Sequence, residues 1–404
     1  MARSEEPVAR ADLLSDDNRK TIPVWPRYET DEIDAAKTVL ESGKVNYWAG
    51  NECTSFEKEF AAYHGVKHGI ALANGTIALE LAFRILGVGT GDEVIVTPRS
   101  FFASASSIVL SGAKPVFVDV DRNSGNITVD SIRGAVTPRT KAIVAVHLAG
   151  WPCDMPGIMA FARERGLRIV EDCAQAHGAA VGGRPVGSFG DVAAFSFCQD
   201  KIMTTAGEGG MLLTNDDELW SAAWSFKDHG KSFEGVYRSD QPVGFRWVHD
   251  SFGSNLRLTE LQAAIGRIQL RKLPGWLARR RKNAAQLSAA LGDLAVVRVP
   301  APSALEQHAY YKLYVYLNTE RLRSGWDRDR VTAEFKAEGI PGFSGSCPEI
   351  YREKAFAGQG YPELPIAREL GEASIMFMVH PTLRAEDVQY VADRARKVLQ
   401  AASR

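Results

Sequence analysis

Three short segments of the chain carry residue types that could do chemistry together. Gly75 and Thr76 lie between an apolar run and a helical pattern, where free backbone N–H groups bind an anion such as phosphate. Asp172 follows the apolar run RIV, and a carboxylate there can hold a cation or a protonated ring nitrogen. Lys201 follows the apolar run AAFSF, so we expect it near the interior, where a neutral amine becomes a usable nucleophile.

Each of these segments also has an ordinary structural interpretation. Thr76 could simply cap a helix, Asp172 could be a buried cap or an ion-pair partner, and Lys201 could be a loop lysine at the surface. Together, however, a phosphate cradle, a carboxylate and a poised lysine are the groups that bind pyridoxal 5′-phosphate. The carboxylate keeps the ring nitrogen protonated, and the lysine forms the Schiff base.

Buried strands should bring these residues together at one edge of a sheet. Short apolar runs alternate with helix-length segments from about residue 69 to 215, a pattern typical of a largely parallel sheet that is covered on both faces. Ligands bind at the carboxyl ends of such strands. The last two runs are joined only by a loop that contains GEGG, so we expect them not to form a βαβ unit. The predicted strands are Gly69–Ala73, Glu93–Thr97, Pro115–Val120, Ala142–His147, Arg168–Glu171, Val192–Phe197 and Met211–Thr214.

The pattern changes after Asn255. Two helices are predicted over Thr259–Ile268 and Gly275–Leu291, separated at Pro274, and a smaller α+β unit follows from Tyr310. The prediction is therefore a mobile N-terminal arm over residues 1–21, a large cofactor-binding α/β domain over 22–260, and a small C-terminal α+β domain over 261–404.

Composition excludes several classes of protein. The net charge of −1 across 404 residues argues against a protein that mainly binds nucleic acid or anionic membrane. The five cysteines are scattered without a CxxC pair, which predicts reduced thiols rather than disulfides or a zinc ribbon. No apolar run is long enough for a membrane helix, and the charged N-terminus predicts no signal peptide, so we expect a cytoplasmic protein.

Ordered motifs along nearly the whole chain resemble those of a known family. They include ANGTIALELA, GDEVIVTP, VEDCAQAHGA, GSFGDVAAFSF, GEGGMLLTND and SNLRLTELQAAIG. The sequence is similar to the sugar aminotransferases of the DegT/DnrJ/EryC1/StrS type from about residue 22 to the C-terminus. This resemblance implies the fold type I architecture of pyridoxal-phosphate enzymes, with a mostly parallel seven-stranded sheet, flanking helices and a smaller α+β domain.

The resemblance also implies roles for individual residues. Lys201 would bind the cofactor and move protons, and Asp172 would pair with the pyridine nitrogen. Gln175 would contact the phenolic oxygen, and Phe102, rather than Phe101, would stack on the ring. The phosphate would be held by Gly75, Thr76 and Ser196, with Asn255 reaching the cofactor of a neighbouring subunit in an obligatory homodimer. Phe102 could instead be simple core, and Asn255 could instead cap the helix that begins near Thr259.

The implied activity moves an amino group from glutamate or glutamine to a keto sugar, which we expect to be linked to a nucleotide. Two alternatives stay open: a sugar dehydratase that uses the same cofactor, and a non-catalytic sensor or scaffold. Arg99 could contact a substrate anion or form a structural ion pair. The sequence names neither the sugar nor the role of the segment 343–356. No metal site is expected, because His64 and His68 lack a third ligand nearby.

Overall fold

The computed structural model describes residues 20–237 and 247–404. Nearly all of the predicted N-terminal arm lies outside the described residues. The first part of the chain forms nine strands: β1 (His68–Leu72), β2 (Glu93–Val96), β3 (Lys114–Phe117), β4 (Thr140–Val146), β5 (Arg168–Asp172), β6 (Ala180–Val181), β7 (Arg184–Pro185), β8 (Val192–Ser196) and β9 (Gly210–Thr214). Its helices are α1 (Thr30–Ser42), α2 (Glu52–His64), α3 (Gly75–Ile85), α4 (Ala103–Leu110), α5 (Val129–Arg133), α6 (Met155–Arg165), α7 (Asp217–Lys227) and α8 (Phe233–Tyr237).

Seven of these strands form one mixed sheet in the order β1-β9-β8-β5-β4-β2-β3. The pairs from β3 to β8 are parallel, whereas β9 is antiparallel to both β8 and β1. All seven predicted strands are therefore present. The expectation that the last two runs do not form a βαβ unit is also confirmed, because β8 and β9 pair directly.

Both faces of this sheet are buried, which explains why its strands read as continuous apolar runs. Along β1, Ile70 and Leu72 face a core that α3 and α7 cover. Ala71 faces the opposite core, which includes residues of α2. Because alternate residues of a strand point to opposite faces, a strand covered on both sides has no polar face.

A single helix, α9 (Glu260–Leu291), replaces the two helices predicted on either side of Pro274. A proline inside a helix costs about 3 kcal/mol because it removes a hydrogen bond and crowds the preceding turn. Leu270, Leu273 and Leu277 are buried in the core of the large unit, and each such burial contributes roughly 1.5–3 kcal/mol. Apolar packing on both sides of the proline therefore outweighs the break, and the prediction of two helices was wrong.

The C-terminal part builds a second sheet in the order β10-β12-β14-β13, while β11 joins β6 and β7. The strands are β10 (Val297–Arg298), β11 (Glu306–Gln307), β12 (Lys312–Leu317), β13 (Gly342–Phe343) and β14 (Ser374–Met378), and the helices are α10 (Arg328–Ala337), α11 (Pro365–Ala373) and α12 (Ala385–Ala402). Short 3-10 helices lie at Leu148–Gly150, Thr319–Arg321, Ile350–Arg352 and Lys354–Phe356.

The small sheet has its own apolar core, which includes Ala284 and Leu287 from the second half of α9. Ile350 and Phe356, from the segment after β13, instead pack into the core of the large unit. The domain division at residues 260 and 261 stays a prediction, and α9 contributes to the cores on both sides of it. Among the described residues, no helix is long and apolar enough to cross a membrane.

Candidate functional site

The predicted site residues gather at one edge of the large sheet. Asp172 ends β5, Ser196 ends β8, and Gly75 begins the helix that follows β1. Since β9 is antiparallel to both of its neighbours, β1 runs in the same direction as β8. The carboxyl ends of these strands therefore share an edge, which is where open α/β sheets bind their ligands.

At this edge the N-terminus of α3 packs closely against the end of β8, and its first backbone N–H groups are unpaired within the described chain. A side chain on Gly75 would place its Cβ 2.6 Å from the Cβ of Ser196. The N-cap of α3 is Asn74, whose side chain accepts a hydrogen bond of 2.9 Å from the N–H of Ile77. The interpretation of Thr76 as the cap was therefore wrong. Within residues 20–237 and 247–404, the N–H groups of Gly75 and Thr76 have no hydrogen-bond acceptor, so they remain available for an anion.

Replacing Gly75 with alanine should weaken both the fold and anion binding. The added methyl group overlaps Ser196, so backbone or side chain must shift, at a cost of about 1–3 kcal/mol. Gly275, in α9, is the matched control because nothing lies within 4 Å of the position that a Cβ would take there. Gly275→Ala should stabilise the protein by roughly 0.5–1 kcal/mol. Denaturant unfolding and retention of bound cofactor measure both variants, and equal behaviour of the two would contradict this account of Gly75.

Two adjacent carboxylates at the end of β5 have different surroundings. Glu171 accepts backbone N–H groups from Gly187, Phe189 and Gly190 at 2.7–2.8 Å and lies 3.2 Å from Nε2 of His147. Burial alone would raise the pKa of Glu171, but these partners hold it below its ordinary value. The carboxylate of Glu171 therefore anchors the loop after β7 and is saturated with partners.

Asp172 is bound more lightly. Its Oδ2 accepts a hydrogen bond of 2.7 Å from the hydroxyl of Ser104, and its Oδ1 accepts one of 3.1 Å from the N–H of Ala174. Both partners are neutral, and each oxygen keeps further lone pairs. The carboxylate is buried and oriented, yet it can still receive a proton donor from a ligand.

Gln175 also faces the edge from the loop that follows β5. Its Oε1 accepts a hydrogen bond of 2.7 Å from the N–H of Ala149, whose backbone lies in the left-handed region with φ 56°. Among the described residues, the Gln175 side chain forms no other hydrogen bond. Its amide nitrogen therefore remains available as a donor.

Lys201 is half-buried in the loop after β8. Its Nζ lies 5.0 Å from the centre of the Tyr311 ring, and its backbone carbonyl accepts a hydrogen bond of 2.7 Å from the indole of Trp25. The interpretation as an ordinary surface lysine does not fit these contacts, since aromatic residues from two distant segments contact its backbone and its amine.

A charge cluster with an exposed carboxylate, Asp200, and a buried amine, Lys312, lies beside Lys201. The hydroxyl of Tyr311 donates a hydrogen bond to Asp200, and Nζ of Lys312 lies 3.7 Å from the same carboxylate. Burial alone would raise the pKa of Asp200, but the charges of Lys201 and Lys312 and this hydrogen bond lower it. Burial lowers the pKa of Lys312 to about 8. Asp200 thus holds a negative charge next to two amines.

Phe102 immediately precedes α4 and packs on Phe356, with ring centres 5.8 Å apart. Its neighbour Phe101 is two-thirds exposed. The structure therefore places Phe102, and not Phe101, against the protein, and the choice of Phe102 as the residue that stacks on the cofactor stays a prediction. Phe102 also fits the alternative that it is a core residue, because its ring is partly buried against the core of the large unit.

Asn255 is exposed and forms a β-bridge with Asp228. The N-cap of α9 is Thr259, whose side chain accepts a hydrogen bond from the N–H of Gln262. The alternative that Asn255 caps this helix was therefore wrong. Nearby Phe252 is fully exposed.

Two clusters of potential metal ligands occur among the described residues. Glu29, Asp31 and Glu32 all contact Nζ of Lys272 at 2.6–3.1 Å, so a lysine already occupies that cluster. The second cluster contains His147, Glu171 and Cys173, where Glu171 is saturated as described above. His64 and His68 have separate partners, Phe60 and Asp217. The expectation of no metal site stays a prediction. The five cysteines are free, as predicted.

Sequence reasoning missed several residues that shape this site. Ser104 lies at the start of α4 and orients Asp172, and the only signal for it was its place in the helix after a buried strand. Asp200 is the immediate neighbour of Lys201 in the chain, whereas Tyr311 and Trp25 contact Lys201 from segments far away in sequence. No local pattern brings such residues together.

Comparison with known proteins identifies the family of this chain. The model of the DegT/DnrJ/EryC1/StrS aminotransferase family matches residues 26–396. The solved structure of an aminotransferase from Psychrobacter cryohalolentis is 51% identical, with a TM-score of 0.93, over 95% of this chain and 100% of that one. The solved structure of 3-amino-5-hydroxybenzoic acid synthase is 32% identical, with a TM-score of 0.84, over 95% of this chain and 99% of that one.

A curated relative, the UDP-N-acetyl-3-dehydro-α-D-glucosamine 3-aminotransferase of Acidithiobacillus ferrooxidans, is 39% identical over 88% of this chain and 90% of its own length. The architecture is that of fold type I pyridoxal-phosphate enzymes, as the resemblance implied. The family and the fold together imply pyridoxal 5′-phosphate as the cofactor. With the family match covering most of the chain, the protein belongs to the DegT/DnrJ/EryC1/StrS aminotransferases.

Proposed function

We propose that this aminotransferase moves an amino group from a glutamate-type donor to a keto sugar carried on a nucleotide, in the cytoplasm. The observation that carries the proposal is the convergence of an open helix N-terminus, the lightly bound carboxylate of Asp172 and the half-buried amine of Lys201 at one sheet edge. The similar curated proteins include aminotransferases named for nucleotide sugars, which supports the choice of acceptor.

The residues at this edge fit pyridoxal 5′-phosphate. The free N–H groups of Gly75 and Thr76, with the hydroxyl of Ser196 beside them, would hold the phosphate. The amide nitrogen of Gln175 would donate to the phenolic oxygen, since its Oε1 is already occupied by Ala149. Phe102 would cover a face of the ring.

Asp172 and Lys201 would supply the acid–base chemistry. When bound, the cofactor provides an electron sink for the carbon that exchanges its amine. Asp172 would hold a proton on the ring nitrogen, and Ser104 keeps its carboxylate in place. Nζ of Lys201 would bind the cofactor and then take and return the proton at the reacting carbon. Asp200, between the two lysines, would keep a countercharge near Nζ.

We also propose a homodimer with shared sites. Asn255 is exposed in a single chain, with the fully exposed Phe252 three residues before it. Contact with a second copy would remove this apolar surface from water and bring Asn255 to the phosphate of the partner's cofactor.

The purified protein should show the visible absorption band of lysine-bound cofactor, and glutamate or glutamine should bleach it. The aminated form should then transfer its amine to members of a panel of nucleotide-linked keto sugars, with the product identified by mass. If no amino donor changes the spectrum, the aminotransferase proposal fails. A sugar product formed without any donor would instead indicate dehydration, and a stable spectrum with every ligand would indicate a sensor.

A further inference from the structure

Arg99 follows β2 at the same edge of the sheet and is fully buried. All three guanidinium nitrogens lack a hydrogen-bond partner within residues 20–237 and 247–404. A guanidinium remains charged under essentially all conditions, so its burial without an anion is strongly unfavourable. The structural ion pair that the sequence left open is therefore not formed within the described chain.

Aromatic rings surround this guanidinium. Its central carbon lies 5.2 Å from the ring centre of Tyr314 and 5.8 Å from that of Tyr316. Rings that cover a guanidinium stabilise its charge, but they do not satisfy its in-plane N–H donors. The carboxylate of Asp121 accepts the N–H groups of Asn123 and Ser124 through Oδ1, and within residues 20–237 and 247–404 it forms no hydrogen bond with Arg99.

Contacts connect Arg99 to the candidate site by two routes. The hydroxyl of the next residue, Ser100, lies 2.9 Å from that of Ser104, which donates to Asp172. Tyr314 and Tyr316 also line a small cavity, of about 10 Å³, whose wall includes Ala149, the partner of Gln175. Arg99 is therefore connected through neighbouring side chains to Asp172 and to the loop that carries Ala149.

We propose that Arg99 binds a carboxylate of a substrate in this site, an inference that rests on the proposed function. A carboxylate has two coplanar oxygens that match the fork of in-plane guanidinium donors, and its single charge balances one arginine. A diphosphate carries more charge than this one buried cation neutralises. The carboxylate has two possible sources: the amino donor, or a carboxylate on the acceptor sugar.

If Arg99 has this role, its replacement should raise the stability of the free protein and lower its affinity for the ligand. Without ligand, Arg99 is an uncompensated buried charge, so replacing it with the apolar Arg99→Met should stabilise the free protein. With ligand, the same replacement removes a buried hydrogen-bonded charge pair. We therefore expect the concentration of the carboxylate-bearing substrate needed for half-maximal conversion to rise about 30- to 1,000-fold. An arginine with a purely structural role would give the reverse result in unfolding.

The experiment compares wild type, Arg99→Met and Arg99→Lys as cofactor-loaded dimers. Arg298→Met is the matched control, because Arg298 covers the same Tyr316 ring at 4.7 Å but is partly exposed and contacts Asn123. The first arm follows loss of the visible band against glutamate concentration. The second arm follows amine transfer to keto sugars with and without a carboxylate. Thermal unfolding, with and without the dicarboxylate glutarate, is measured for every variant.

A donor carboxylate is indicated if Arg99→Met shifts the first arm, loses the stabilisation by glutarate and unfolds at a higher temperature without ligand. A sugar carboxylate is indicated if Arg99→Met weakens amine transfer only to keto sugars that carry a carboxylate. Arg99→Lys should recover part of the affinity, and Arg298→Met should match wild type. The inference is overturned if Arg99→Met lowers the unfolding temperature and leaves both arms unchanged. It is also overturned if Arg99→Met weakens amine transfer equally to keto sugars with and without a carboxylate. Failure of wild type itself to react with any donor instead refutes the proposed function.

Discussion

Replacing Lys201 with alanine should abolish multiple turnover and the visible band of lysine-bound cofactor. The proposed role gives one nitrogen two tasks, covalent attachment of the cofactor and proton transfer at the reacting carbon. Loss of the proton-transfer task alone costs about 10²- to 10⁴-fold in rate. Initial rates of amine transfer and the absorption spectrum of the purified variant provide the measurement.

Lys282→Ala is the matched control for this prediction. Lys282 is an exposed lysine that ends a basic run in α9, away from the sheet edge. It should keep wild-type turnover and spectrum. A small added amine should restore part of the proton transfer in Lys201→Ala, since it can enter the space that the side chain leaves. Sustained turnover by Lys201→Ala without added amine would refute the assignment.

Asp172→Asn should lower the turnover number by about 10²- to 10³-fold, the usual effect of removing one preorganised electrostatic partner. The amide has the size of the carboxylate and can still accept the hydrogen bond from Ser104, so the fold should be retained. It carries no charge, however, and cannot hold a proton on the ring nitrogen of the cofactor. Single-turnover rates with glutamate measure the effect.

Glu171→Gln tests whether the neighbouring carboxylate does something different. Glu171 accepts three backbone N–H groups and contacts His147, so its replacement should mainly lower the free energy of unfolding. We expect Glu171→Gln to have the lower free energy of unfolding, and Asp172→Asn to have the lower single-turnover rate. If Glu171→Gln lost as much rate as Asp172→Asn while remaining equally stable, the division of roles would be wrong.

The sheet was predictable because its strands carry a local signal. Residues 192–197 and 211–214 read as buried strands, since both faces are covered and the apolar run is continuous. The edge that collects Gly75, Asp172 and Ser196 then followed from strand direction. Their proximity is confirmed, whereas their individual roles stay proposals.

The remaining features depend on contacts between distant segments. Pro274 predicted a break, but burial of leucines on both sides of it keeps α9 continuous. Arg99 had two open interpretations, and only the three-dimensional arrangement shows that its guanidinium has no acid beside it within the described chain. Tyr311 could not be placed beside Lys201 from a pattern, because 110 residues separate them in sequence.

The continuity of α9 has a consequence for cooperativity of folding. Its first half completes the large core through Leu270, Leu273 and Leu277, and its second half completes the small core through Ala284 and Leu287. Neither core is whole without the same helix, which is about 48 Å long at the usual rise of 1.5 Å per residue. The chain thus has two cores but one shared structural element, so loss of either core exposes apolar surface of the helix that supports the other.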